Sequence, residues 1–213
     1  MDLNGVLRPS KKIKPLMDLK NYIVYKIDSN KDIKRLCKYL TYEPLELASL
    51  DYSGKIIAQP DINYSLIENI KNPDGEYNII PYTLNQNDGV LTEKVCIFVH
   101  NYKNKFDGVI GDTTIMVDIT CPGEKNKLLF GQERIYKIAE LIIEELDETF
   151  VDENFIETIG GYKFEVKGNG SEWIFNNKDV IAYSFPIVVS MNNKRWWNVE
   201  WLFRGTYLYY GYR

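Results

Sequence analysis

EKVCIFVHNYKNK (93–105), DTTIMVDIT (112–120) and GQERIYKIAELIIEELDE (131–148) follow one another in this chain. The first stretch alternates Val95, Ile97 and Val99 against Cys96, Phe98 and His100, the period of two that a strand requires. The second places Ile115, Val117 and Ile119 on one face. The third switches to helical spacing, with Ile135, Ile138, Ala139, Ile142 and Leu146 forming one stripe. The pattern predicts strand, long connection, strand and then an acidic helix. This is an ordered scaffold, and no catalytic constellation accompanies it.

Working outward, residues 1–18 read as an arm broken by Gly5, Pro9 and Pro15. LKNYIVYKI (19–27) has the composition of a strand, so residues 1–28 form an arm and first strand. Ser29 or Asn30 caps a helix over KDIKRLCKYLTY, whose stripe is Ile33, Leu36, Cys37 and Leu40. Residues 45–92 form a loop-rich insertion punctuated by Gly54, Pro60, Pro73, Asp74-Gly75, Pro81 and Asp88-Gly89. KIIAQ (55–59) and YNIIPYTL (77–84) are short strand candidates within it. Beyond the acidic helix, FIETIGGYKFEVKGNG (155–170) predicts a third strand with a turn at Gly168-Asn169-Gly170. DVIAYSFPIVVSM (179–191) predicts a fourth, with Ile181, Tyr183, Phe185, Ile187 and Val189 on one face. Pro186 points to an edge position or a bulge. Residues 29–191 thus form one α+β domain, a twisted and mostly antiparallel sheet with one long helix packed on it. Residues 192–213 follow as an aromatic extension.

A chain of 213 residues with 45% hydrophobic content can bury about 70% of the surface it exposes unfolded. No run reaches the roughly 20 apolar residues that cross a bilayer, and MDLNGVLRPSKK (1–12) lacks the apolar core of a signal peptide. Cys37, Cys96 and Cys121 are odd in number and irregular in spacing, which argues for buried thiols over disulfides or a metal knot. Cys96 and Cys121 fall on the two central strands and are candidate neighbours.

The net charge of −4 is unevenly spread. Residues 1–38 carry ten Lys or Arg, Lys11, Lys12 and Lys14 among them, against four Asp. Residues 133–157 carry nine acids, including Glu140, Glu144, Glu145 and Glu148, against Arg134 and Lys137. Residues 191–213 carry Lys194, Arg195, Arg204 and Arg213 against Glu200. Basic ends of one copy therefore suit the acidic helix of another, although solvated faces give the same pattern. Residues 196–213 hold eight aromatic side chains: Trp196, Trp197, Trp201, Phe203, Tyr207, Tyr209, Tyr210 and Tyr212. Each can bury roughly 150–250 Å². Such a segment either closes its own core or packs on another chain, and Trp, Tyr and Arg are the residues of interface anchors. No helical moment or polybasic run supports a membrane role for it.

His100 is the single histidine, and the spacing offers it neither a zinc partner nor a nucleophile elbow. The best enzyme candidate is a metal-dependent nuclease using Asp112, Asp118 and Glu133. The lysine expected two residues after the second acid is replaced by Thr120, which weakens it. No GxxxxGK[ST] or GxGxxG is present, so phosphate-cradling loops are unsupported. The basic ends suit nucleic acid, but a pI near 5.2 argues against a dedicated DNA-binding domain.

The order of elements in VCIFVHNYKNKFDG, TTIMVDITCPGEKNKLLFGQERIYKIAELIIEEL, FIETIGGYKFEV and DVIAYSFPIVVSM, over about residues 30–191, resembles the tail-terminator or tail-completion proteins of tailed bacteriophages. The insertion 45–92 and the aromatic extension depart from short members of that family. The resemblance implies a structural virion component without catalytic site or cofactor. It would form a closed homo-oligomeric ring at the neck or tail end, assembled in the host cytoplasm. Its partners would be other neck, portal and tail proteins. DNA would pass through the lumen without specific binding, and no membrane would be involved. Head-to-tail closure needs two complementary patches, for which the charged and aromatic residues named above are the candidates.

Overall fold

The computed structural model describes residues 14–68, 76–83, 89–107, 110–151, 161–167, 170–175 and 179–192. Three helices run from Lys14 to Ser29 (α1), Lys31 to Lys38 (α2) and Arg134 to Leu146 (α3). A two-stranded hairpin, β1 (Ala48–Leu50) and β2 (Ile56–Ala58), stands apart from the main sheet. That sheet contains β3 (Ile79–Ile80), β4 (Cys96–Asp107), β5 (Ile110–Pro122), β6 (Phe150–Val151), β7 (Gly161–Val166), β8 (Ser171–Phe175) and β9 (Val180–Asn192). Its order is β3-β4-β5-β9-β7-β6, with β8 also paired to β9. Every pairing is antiparallel except that of β3 with β4. The chain is α+β, as its hydrophobic periods predict.

Burial follows the pleat. Val95, Ile97 and Val99 of the segment through β4 and Ile115, Val117, Ile119 and Cys121 of β5 face the helices and are fully buried. Phe185, Ile187 and Val189 of β9 join them, with Ile181 and Tyr183 packed at the margin. From the other side α3 contributes the expected stripe of Ile135, Ile138, Ala139, Ile142 and Leu146. Burying each such aliphatic side chain contributes about 1.5–3 kcal/mol. The opposite sheet face carries a smaller cluster of Ile80, Leu91, Cys96, Phe98 and Val180.

Four expectations need correction. Residues 19–27 are helical and lie inside α1, so the helical layer has two substantial helices in place of one. Leu19, Ile23 and Ile27 recur every four residues and are buried, so burial at helical spacing overrides strand-like composition. β4 and β5 are not separated by a long connection: they pair from Cys96↔Thr120 to Asp107↔Ile110, with a bulge between Asn101 and Lys103. Their polar outer halves stay extended because backbone pairing needs no apolar side chain. Cys96 and Cys121 lie on adjacent strands but on opposite faces, and all three cysteines are free and buried. Pro186 lies in a strand flanked on both sides, between the ends of its two short neighbours, and its carbonyl accepts from Lys167 N at 3.4 Å. β8 pairs with β9 through Ser184, and β7 pairs with it from Ile187 onward. The missing N–H therefore costs no ladder bond on that side.

Asn30 caps α2, its side chain accepting from the backbone N–H groups of Asp32 (3.0 Å) and Ile33 (3.1 Å). α3 is capped from outside. Asn126 Oδ1 accepts from Ile135 N, and Asn126 Nδ2 donates to Glu133 at 2.7 Å.

Candidate functional site

Arg134 is fully buried at the start of α3. Its guanidinium donates from Nε to Lys125 O (2.9 Å), from Nη1 to Leu36 O (2.7 Å) and Tyr39 O (3.0 Å), and from Nη2 to Thr41 O (2.7 Å). The cation thereby meets the carbonyl end of α2, where the helix dipole is negative. Arg35 and Lys34 extend the same device. Arg35 Nε donates to Pro44 O at 3.1 Å and Nη2 to Glu46 O, while Lys34 Nζ donates to Tyr64 O at 2.7 Å. Arg35 and Lys34 thus fasten the first part of the 45–92 insertion to the helical layer at Glu46 and Tyr64, while Arg134 holds the chain just before it at Tyr39 and Thr41.

The three acids of the nuclease reading are not brought together. Asp112 and Asp118 share a face of β5 but lie six residues apart, about 20 Å along the strand. Glu133 sits at the start of α3, which packs on the other face of the sheet. Asp118 instead meets His100 across the β4–β5 ladder, with His100 Nε2 2.9 Å from Asp118 Oδ2. His100 is thus a paired, half-buried side chain. Among the described residues, no group of three His, Cys, Asp or Glu side chains is arranged to hold a metal ion. The Asp107-Gly108 dipeptide is a hairpin signal that pairs these two strands, but only the bulge between Asn101 and Lys103 brings His100 onto the face of Asp118.

The acids of α3 and its C-terminal turn are placed as follows. Glu140 is exposed and bonded to Lys137 at 2.7 Å. Glu144 is exposed. Glu145 accepts from Lys26 of α1 at 3.2 Å, and Glu148 pairs with Lys163 of β7. Lys14 opens α1. Lys11, Lys12, Trp196, Trp197, Trp201, Phe203, Arg204, Tyr207, Tyr209, Tyr210 and Tyr212 lie outside the described residues.

The hairpin β1–β2 has its polarity reversed. Its inward side holds Ile57, half-buried opposite Ser49, beside polar groups that are satisfied. Ser49 Oγ accepts from Glu43 N at 3.1 Å, and the Gln59 side chain bonds to Thr41 Oγ1 and Glu43 O. Its outward side is apolar, with Leu50 directly opposite Ile56 and Ala48 opposite Ala58. Leu47 is 77% exposed and Ile56 72%. Tyr42 lies between this hairpin and the loop before α3, its N–H donating to Leu50 O (3.2 Å) and its carbonyl accepting from Leu129 N (3.0 Å). In that loop Phe130 is 93% exposed and holds φ at +60°, a conformation non-glycine residues rarely adopt. Nothing in the hydrophobic period marks this face, because the strands are three residues long and solvent exposure reverses their usual meaning.

Comparison with curated proteins gives no match. The model of the YomW family matches residues 30–185, from the cap of α2 into β9 and well over half of the chain. The chain therefore belongs to the phage-derived YomW family.

Proposed function

We propose that this phage-family protein is a structural virion component that forms an oligomeric ring at the neck or tail end and joins head to tail. The observation that carries the reading is how its ionic groups are used. Arg134, Arg35, Lys34 and the His100–Asp118 pair are spent on internal fastening, while Glu140 and Glu144 face outward on α3. The described part is thus a rigid platform with an acidic helix, and sequence basic at both ends flanks it. Complementary patches of this kind suit head-to-tail contacts that close on themselves. In this reading the protein performs no chemistry, meets other neck, portal and tail proteins, and sits in the virion after assembly in the host cytoplasm.

Light scattering after size exclusion, with negative-stain imaging of the same peak, tests the proposal. Closed rings of defined mass are the expected result. A solitary protomer at all concentrations and salt strengths would refute it. Incubation with DNA and magnesium tests the opposing reading, since metal-dependent cutting abolished by Asp118→Ala would make the protein a nuclease.

A further inference from the structure

We infer that the outward face of the β1–β2 hairpin, with Leu129 and Phe130 beside it, receives the aromatic segment 196–212 of a second copy. The inference rests on the ring reading and names the surface through which neighbouring subunits hold one another.

The first ground is the reversed polarity of the hairpin. A solvated hairpin turns its polar side outward. This one buries Ser49 and Gln59 and presents Leu47, Leu50 and Ile56 to water. Phe130 is displayed almost completely, on a left-handed backbone that only costs the isolated subunit. Exposed apolar surface on this scale marks an interaction site.

The second ground is charge. Residues 41–68, which carry the hairpin, hold Glu43, Glu46, Asp51, Asp61 and Glu68 against Lys55. The aromatic segment is flanked by Lys194, Arg195 and Arg213 and contains Arg204, against Glu200. Asp61 is bridged to Arg35 and Lys125 Nζ lies 4.9 Å over the Tyr52 ring, so the acids that complement the basic residues of an aromatic segment are Glu43, Glu46 and Asp51.

The third ground is where β9 leads. Its first residue, Val180, pairs with Pro122, and Gly123 N donates to Asp179 O at 2.8 Å. That end of the sheet is the hairpin's end, because Tyr52 Oη donates to Lys125 O at 2.8 Å. β9 then runs away for 13 residues, about 40 Å at 3.3 Å per residue. Asn192, the last residue of β9, therefore lies at the far end of the sheet, and the aromatic segment follows it in sequence. To reach its own hairpin it would have to retrace the sheet, whereas a head-to-tail neighbour puts that far end against the hairpin directly. A heterologous contact of this kind is what closes a ring.

The test uses the full chain with the photo-crosslinking analogue p-benzoylphenylalanine in place of Phe130. It is mixed and co-assembled with an isotope-labelled copy, and its mass is measured by light scattering before irradiation. The expected result is an oligomer in which position 130 of one copy is joined to residues 193–213 of the other. The double variant Leu50→Glu, Ile56→Lys, which sets opposite charges across the ladder on exposed positions, should keep the parent melting temperature and lose the crosslink at least ten-fold. An oligomer whose crosslinks from position 130 end elsewhere would overturn this inference and leave the ring reading standing. Crosslinks to 193–213 within the same copy would also overturn it. A solitary protomer would end both.

Discussion

Removing the Arg134 guanidinium tests whether α2, α3 and the segment after α2 form one cooperative unit. Its four bonds end on carbonyls of Leu36, Tyr39, Thr41 and Lys125. A hydrogen bond from a charged donor contributes about 1.5–3 kcal/mol, so the four sum to roughly 6–12 kcal/mol before opposing terms. Against this stands the desolvation of a buried cation with no carboxylate among those partners, which costs several kcal/mol. The difference leaves Arg134→Met, which keeps the aliphatic volume, about 3–5 kcal/mol less stable. Arg134→Lys should recover only part of this, because an ammonium cannot reproduce the planar fork.

Urea unfolding followed by circular dichroism is the assay. With a slope of about 2 kcal/mol per molar urea, the midpoint should fall by roughly 1.5–2.5 M. Amide exchange should quicken first over residues 36–41, where the carbonyls lose their donor. If Arg134→Met stays within about 1 kcal/mol of the parent, desolvation cancels the bonds and the fastening role assigned to this side chain is wrong.

Three further outcomes follow from single contacts. A Cβ at Gly170 would lie 2.1 Å from the Tyr183 ring, so Gly170→Ala should cost about 1–3 kcal/mol and lower the melting temperature by about 3–10 °C. Adding Tyr183→Leu should return part of that loss, and strict additivity of the two changes would count against the clash. Burial pushes the Cys121 thiol up to about 12 and raises that of Cys37 too, so neither thiol should react with an alkylating agent at pH 8 until the chain unfolds. Rapid labelling of either in the folded protein would contradict the core described above. The Asp51 carboxylate, which accepts from Ser53 Oγ (2.7 Å), Lys55 N (2.8 Å) and Ser53 N (2.9 Å), is held below the usual aspartate range, chiefly by the Ser53 hydroxyl. A depressed folded value stabilises above the ordinary pKa near 3.9, and the contribution fades as pH falls through the folded value. Protection of the Ser53 and Lys55 amides, relative to their intrinsic exchange rates, should therefore fall below about pH 4, and Asp51→Asn should abolish that pH step.

The central layer was legible because one side of each element is wholly buried. Ile115, Val117 and Ile119 alternate and the α3 stripe does not, so two periods separated two kinds of element. α1 misled because Tyr22, Ile23, Val24, Tyr25 and Ile27 are all good strand residues. Only the exposure of Tyr25 beside the burial of Leu19, Ile23 and Ile27 reveals the helical face, and exposure is not written in the letters. The connection between β4 and β5 is shorter than the letters suggest for a related reason: Phe106, Asp107, Ile110 and Gly111 show no alternating period, and only the backbone bonds of the partner strand make them part of the ladder.

The candidate site was less legible, for a physical reason that bears on its role. Arg134 reads as one charge in an acidic run, and its partners are carbonyls, which no sequence pattern displays. The hairpin reads as an ordinary pair of short strands, and its meaning comes from which side faces the protein. Arg35, bonded to Pro44 O and Glu46 O just before it, ties the hairpin's start to α2, so its apolar side is not a floppy accident of a long insertion. Fixing a rigid scaffold beneath exposed Leu47, Ile56 and Phe130 lowers the ordering cost that any partner must meet on binding. An unanchored loop could fold those side chains inward and stay soluble alone. The fastening of the preceding chain by Arg35 keeps the face open, as the proposed subunit contact requires.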